Sequence, residues 1–503
     1  MNNLKSTVLA AACLTAPNLY SAGMQTQKPN VLFFEVDDLM YKFVGSVGMN
    51  VIKTPNIDRL VTSGVYFSNA VCQGMMCGPS RNSFIAGLYP HNIGFYKNGQ
   101  LRQLPNNAWT IAPAMKRAGY NTAWVGKCHV KPPRRGRKQS EQDGLKKYMG
   151  FDYAVASLGR VMLGKMMRTG KNVKEDDVYF EYLKSKGLYE QYKNDCVKKA
   201  KVTSLSEDDY LDGFYTNTAL NWLRTKRDRN RPFFLWVNLS TPHGPFDVPQ
   251  KYHDMYKNVT IPGPDSNDFG GVQIPAPLLK NNKPAKEDTE EYRKGYAANV
   301  TYMDTMLGKI ISELKAEGVY DNTMIVFFSD HGIFMCNHGR THKGTLFREI
   351  LNPSLIISFP GKFQKGEIVS APVELVSVLK TAMSVADAQP EDRNAPFGEN
   401  LVPLLTGKPG YKTKYVFSEI ENFQSCFDGR YHLITNTTGE KVLLYDLKND
   451  PKELNDIAAE CPEKVKELQK AVDRWFAETG PALPAEYLKS RKNVKKWTRG
   501  MRP

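Results

Sequence analysis

The chain has 503 residues, 41% hydrophobic and 24% charged, with 38 glycines and 30 prolines, which excludes fibrous and disordered classes and leaves material for roughly two to four domains. No apolar run reaches the roughly 18 residues that cross a membrane, and no internal repeat is visible. Lys and Arg outnumber Asp and Glu by 68 to 52, a net charge of +16, which points to a polyanionic partner.

At the start, Lys5 precedes the apolar run Val8–Ala16 and the small residues Ser21, Ala22 and Gly23. That order reads as a secretory signal peptide over residues 1–22, with a disordered cytosolic start and a lipoprotein site at Cys13 as the alternatives. The protein is therefore expected to be exported, to a periplasm or beyond. Strands follow at Asn30–Asp37, Asn121–Gly126, Phe233–Leu239, Met324–Ser329 and Ser354–Phe359, where apolar, β-branched runs end in polar residues. Helices are predicted between and after them at Trp109–Ala118, Tyr210–Arg224, Thr289–Glu317 and Val373–Ala386. This alternation predicts an α/β sandwich whose large, mostly parallel sheet is buried on both faces. Ligands in such folds bind beyond the carboxyl ends of the strands.

After about residue 370 the segments shorten. Lys414–Glu419, Tyr431–Thr435 and Lys441–Leu447 read as strands, the last two a hairpin across Asn436–Glu440, and Cys461–Glu478 reads as a helix by its apolar spacing. The expected organisation is a domain over 28–370 and a C-terminal α+β subdomain with a basic tail over 371–503. Five basic residues fall in Lys131–Lys138, five in Arg224–Arg231 and seven in Lys489–Arg502. Each run is either a solvated loop or a contact to a polyanion. No nucleic-acid-binding signature is present, and an exported chain seldom meets nucleic acid, so a sulfated polysaccharide is the better partner. Eight cysteines match neither a zinc ribbon nor a dense disulfide framework, leaving room for one or two bridges.

Asp37 and Asp38 close the first strand, and Asp330 with His331 closes the fourth, in Ser329-Asp330-His331-Gly332. Adjacent residues of a strand face opposite ways, so both of a pair reach one ion only where the strand has ended. Carboxylates brought together repel unless a cation lies between them. Three of them suit a hard cation, Ca2+ ahead of Mg2+ if six or more ligands gather. By itself, an Asp-Asp pair serves equally well as a helix cap.

Cys77-Gly78-Pro79-Ser80-Arg81 is more specific. It stands before Gly87-Leu88-Tyr89-Pro90-His91, after Thr54-Pro55-Asn56-Ile57-Asp58-Arg59-Leu60, and ahead of a second segment running Gly119-Tyr120-Asn121-Thr122 to Gly126-Lys127-Cys128-His129. With the aspartates and His338-Gly339-Arg340-Thr341-His342-Lys343, this order resembles the type I sulfatases of the alkaline phosphatase superfamily. The CxPSR core and the GYxT and GKxH elements are intact. The resemblance implies an alkaline-phosphatase-like fold and a sulfuric ester hydrolase in which a formylglycine-generating maturation enzyme oxidises Cys77 to formylglycine, whose hydrate is the nucleophile. It further implies that Arg81 steadies that hydrate, that Lys127 and Lys343 hold sulfate oxygens, that His129 triggers collapse of the diol, and that His243, in Thr241-Pro242-His243-Gly244, serves the leaving group. Asp37, Asp38, Asp330, His331 and the modified Cys77 would hold the cation. Many relatives carry asparagine where this chain has His331, and an aromatic where it has Cys128, which reads as core packing. His338 and His342 are either structural or on the substrate side. The implied substrate is a sulfated polysaccharide or oligosaccharide, with a carrageenan-type galactan foremost. A glycosaminoglycan, a phosphonate monoester or phosphodiester, and a purely polyanion-binding role stand as alternatives.

Overall fold

The computed structural model describes residues 28–98, 104, 108–130, 141–170, 177–286, 289–390 and 396–480. The predicted signal peptide and the basic runs Lys131–Lys138 and Lys489–Arg502 lie outside them. Among the described residues no helix is long and apolar enough to cross a membrane.

Eight strands build the main sheet: β1 (Asn30–Asp37), β2 (Val65–Phe67), β3 (Asn121–Lys127), β4 (Tyr153–Ser157), β5 (Phe233–Pro242), β6 (Thr323–Ser329), β7 (Leu355–Ser358) and β8 (Glu367–Val369). Their order is β8-β2-β7-β6-β1-β5-β3-β4, and only β7 runs against the rest. Every residue of β1 is buried, which explains why its sequence reads as a continuous apolar run without alternation. Val31 and Phe33 enter one core, Leu32, Phe34 and Val36 the other. Phe33 meets Phe234 and Trp236 edge-on at 5.1 and 5.3 Å between centroids, and truncating it to alanine would cost about 3–5 kcal/mol. Because the central strands are parallel, Asp37, Lys127, Pro242 and Ser329 end together at one edge of the sheet.

Two helices cover the centre. α1 (Cys77–Ala86) is buried at all ten positions and lays Phe84 on Trp236 and Phe328. α2 (Thr289–Ala316) covers the opposite face with Tyr296, Val300, Met303 and Leu307. The C-terminal sheet is antiparallel in the order β9 (Val416–Ile420), β10 (Phe423–Phe427), β11 (Tyr431–Asn436) and β12 (Val442–Asp446). α3 (Pro462–Thr479) packs Leu468, Val472 and Trp475 against its Leu433 and Leu444.

The main sheet thus holds the five predicted strands and three that the sequence did not announce, β2, β4 and β8; the small sheet adds β10. The predicted helix Val373–Ala386 is corrected: Val373–Glu374 is a short strand paired with Ala70–Val71, and the helix starts at Ser377. The cause is Glu374, whose buried carboxylate accepts from Tyr89 Oη at 2.7 Å and from the Phe417 amide at 3.0 Å. The Trp109 helix begins only at Ile111, since Thr110 is extended. Cys72, Cys77, Cys128, Cys196, Cys336, Cys426 and Cys461 are all free thiols, so among the described residues no disulfide forms.

Candidate active site

Everything singled out at the strand ends converges. Ligand atoms of Asp37, Cys77, Asp330 and His331 lie within 4.8 Å of one another, as do those of Asp37, Asp38, Cys77 and His243. Cys77 opens α1, and its Sγ lies 3.2 Å from Asp37 Oδ1 and 2.8 Å from Lys343 Nζ. Lys127, the last residue of β3, donates to Asp37, and Lys343 donates to Asp38. His243 Nε2 stands 3.5 Å from Asp38 Oδ2, and His331 Nδ1 3.3 Å from Asp38 Oδ1. His129, just past β3, holds a left-handed backbone at φ 42° and feels the charges of Cys77 and Lys127 beside it.

Local geometry explains the placement. Asp38 adopts φ 68°, a turn that ends β1 and sends its side chain to the same side as that of Asp37. Its amide donates to Asp330 Oδ1 at 3.1 Å, and Tyr296 Oη donates to its carbonyl at 2.6 Å. Ser80 Oγ donates to the Asp330 carbonyl at 2.6 Å, tying α1 to the end of β6.

Arg81 lies beneath the cluster. Its Nε donates to Asp330 at 2.9 Å, while Nη1 reaches Glu35 and Asn238, each at 3.0 Å. Glu35 and Asn238 were missed by sequence reasoning. Glu35 carried a signal, since it is the one charged residue in the run Asn30–Val36 and so is buried with a partner. Burial raises Glu35 to about 7 despite Arg81. Nothing marked Asn238, in mid-strand.

The electrostatics are dense. Burial opposes ionisation of Cys77, but Lys127, Lys343 and His331 hold its thiol well below the usual range. Burial and Cys77 push Asp37 up, yet Lys127, His243 and Arg81 outweigh them and hold it low. Burial disfavours a charged His243, and Asp38 more than restores it. Burial also lowers His129. Such mutual perturbation in one cleft is the mark of a functional centre.

His338 falls outside it. It stacks on Phe269 at 4.6 Å and faces Glu349 at 3.6 Å, so its role is packing. His342 is exposed beside Lys343, on the rim of the opening. Cys128 is fully buried in the core.

Residues 29–388 match the sulfatase family, and residues 336–479 match the family described as N-sulphoglucosamine sulphohydrolase, C-terminal. The chain belongs to the sulfatase family, and it is a sulfuric ester hydrolase. It is 29% identical over 452 residues to a sulfatase of Formosa agariphila, covering 85% of this chain and 83% of that one. In fold it is similar to the phosphonate monoester hydrolase of Agrobacterium radiobacter, with a TM-score of 0.72, 22% identity and coverage of 90% and 96%. It is likewise similar to Ps i-CgsB bound to k-i-k-neocarrahexaose, with a TM-score of 0.68, 22% identity and coverage of 94% and 99%.

Proposed function

We propose that the chain releases sulfate from a sulfated polysaccharide or oligosaccharide outside the cytoplasm, a carrageenan-type galactan fitting best, with Cys77 converted to formylglycine. The observation that carries this reading is the setting of Cys77: buried, at the first position of α1, with two ammonium groups and three carboxylates around it. Oxidised by a maturation enzyme, residue 77 would supply an aldehyde hydrate, one hydroxyl attacking sulfur and the other releasing sulfate later. The choice of galactan draws support from the fold shared with the neocarrahexaose complex.

The chain's own groups divide the work. Lys127 and Lys343 are placed to neutralise the non-bridging sulfate oxygens as negative charge builds on them. Arg81, held by Glu35, Asp330 and Asn238, fixes the first turn of α1 and so the direction of attack. His243 delivers a proton to the departing alkoxide, and His129, kept neutral by burial, accepts one from the remaining hydroxyl.

The donor set fits a divalent cation. Asp37, Asp38 and Asp330 offer hard oxygens, and the buried His331 Nε2 has no hydrogen-bond partner, as expected of an atom whose partner is a ligand. Calcium suits these carboxylates better than magnesium, which demands a near-ideal octahedron. Once bound, the ion would polarise sulfate oxygens. Asp37, Asp38, Asp330, His331 and residue 77 would hold it.

Replacing Cys77 by Ser tests the assignment. Sulfate release should fall by roughly three orders of magnitude or more, with an unchanged melting temperature; retained turnover refutes the nucleophile. Paired sulfate and phosphonate esters of one alcohol decide the rival suggested by the monoester hydrolase fold, and preferential cleavage of the phosphonate would favour it. An unaltered thiol mass for the Cys77 peptide from the native host would defeat formylglycine.

A further inference from the structure

An opening of about 570 Å³ adjoins the cluster, a size typical of ligand pockets. Its walls continue the site itself. His342 precedes Lys343, and Pro245, Phe246 and Asp247 follow His243. Phe246 packs edge-on against Tyr292 and Tyr296 at 4.9 and 5.5 Å, and Tyr296 is the residue that fixes the Asp38 carbonyl.

The lining is cationic. Lys199, Lys201, Lys257, Lys283, Lys286 and Lys294 face two carboxylates, Asp247 and Glu291. Asp247 is already neutralised by the buried Arg160 at 3.0 Å, and Glu291 lies near Lys201 and Lys294. Lys199, Lys257, Lys283 and Lys286 meet no carboxylate among the described residues, unlike the run Arg224–Arg229, whose arginines pair with Glu313 and Glu317. Lys283 is also held in place. Asn282–Pro284 pairs with Arg340–His342, and Asn282 Nδ2 donates to the Lys343 carbonyl at 3.0 Å. Arg160 performs the same service opposite, donating to the His243 carbonyl at 3.3 Å and the Asp247 carbonyl at 2.6 Å. Unpaired lysines and a partly exposed aromatic ring lining one opening match one ligand chemistry: a sugar with an apolar C–H face and an anionic substituent.

Resting on the sulfatase reading above, we propose that this pocket seats a second anionic sugar, next to the one that loses its ester, with Lys283 and Lys286 gripping its sulfate or carboxylate and Phe246 beneath its ring. The enzyme then selects chains charged on consecutive units over isolated sulfate esters. Two lysines contacting one anion are worth about tenfold in binding, and the contact weakens with salt because the groups are exposed.

The test compares kcat/KM for a multiply sulfated carrageenan hexasaccharide with that for nitrophenyl sulfate, in the wild type and in the double variant Lys283→Ala, Lys286→Ala, after mass spectrometry has verified position 77. The ratio of the two should fall about tenfold in the variant, through KM rather than kcat, and high salt should erode it in the wild type. Phe246→Ala should lower it in the same direction. A ratio unmoved by either variant overturns the pocket while leaving the sulfatase reading intact. Absence of sulfate release from both substrates by the wild type overturns both.

Discussion

Two places among the described residues bring a buried nucleophile, histidine and carboxylate together, and they are built differently. In the C-terminal sheet, His432 Nδ1 meets Glu453 Oε1, and its Nε2 meets Ser425 Oγ at 3.1 Å. The second Glu453 oxygen accepts from the Arg348 amide at 2.8 Å. All three residues are sealed, and the pocket that His432 lines holds about 20 Å³, room for about one water. The side-chain polar atoms of Ser425, His432 and Glu453 all have partners. Around Cys77 the opposite holds: Arg81 Nη2, His129 Nδ1 and His331 Nε2 are buried without hydrogen-bond partners, cations crowd the thiol, and a large opening adjoins. A satisfied network stabilises a fold; a network with atoms to spare awaits a ligand.

Substitutions can break that contrast. After Cys77→Ser, the next largest effect belongs to Arg81→Lys, which leaves Glu35, Asn238 or Asp330 without its donor: sulfate release should drop about 10²–10³-fold and thermal stability should fall too, by calorimetry. Glu453→Gln should invert the pattern. Disturbing a buried hydrogen-bonded set costs about 1–3 kcal/mol, so the melting temperature should fall while kcat/KM at room temperature stays within twofold; a loss of turnover larger than that would make the Ser425 set a second functional centre.

The smallest effect concerns Glu374, which also sits in a sealed setting. Burial raises it from 4.5 to about 7. Between those values the folded chain keeps a proton that the unfolded chain has released. Stability from this group is therefore greatest below pH 4.5 and declines as pH rises to about 7, by up to roughly 3 kcal/mol. In Glu374→Gln, melting temperatures recorded across that window should depend less on pH; an identical slope would show that the carboxyl does not titrate there.

Much of this was legible beforehand, for physical reasons that differ by element. Strands buried on both faces, such as β1, announce themselves as unbroken apolar runs, and the acids closing them stand out at once. α1 did not: no element was predicted at Cys77–Ala86, and a helix buried on every side has no polar stripe to reveal it. β2 and β8 are only three residues long, too short for periodicity. Arg160, in a stretch where the sequence predicted no element, braces the His243 loop through contacts far apart in sequence. His331 illustrates the converse, since its spacing next to Asp330 was clear while its free Nε2 emerged only in three dimensions.

The turn after α1 is clasped by the far end of the chain: Asn92 Nδ2 donates to the carbonyls of Thr479 and Gly480 at 2.7 and 2.8 Å, and the His91 amide to Glu419 at 2.7 Å. Cys77 itself is 1% exposed and closed in by groups as far along the chain as Lys343, so a catalyst that were to oxidise position 77 would have to reach it before that part of the polypeptide folds around it. On the proposed reading, maturation and folding would compete in time, and slower closure around Cys77 would favour the completed enzyme.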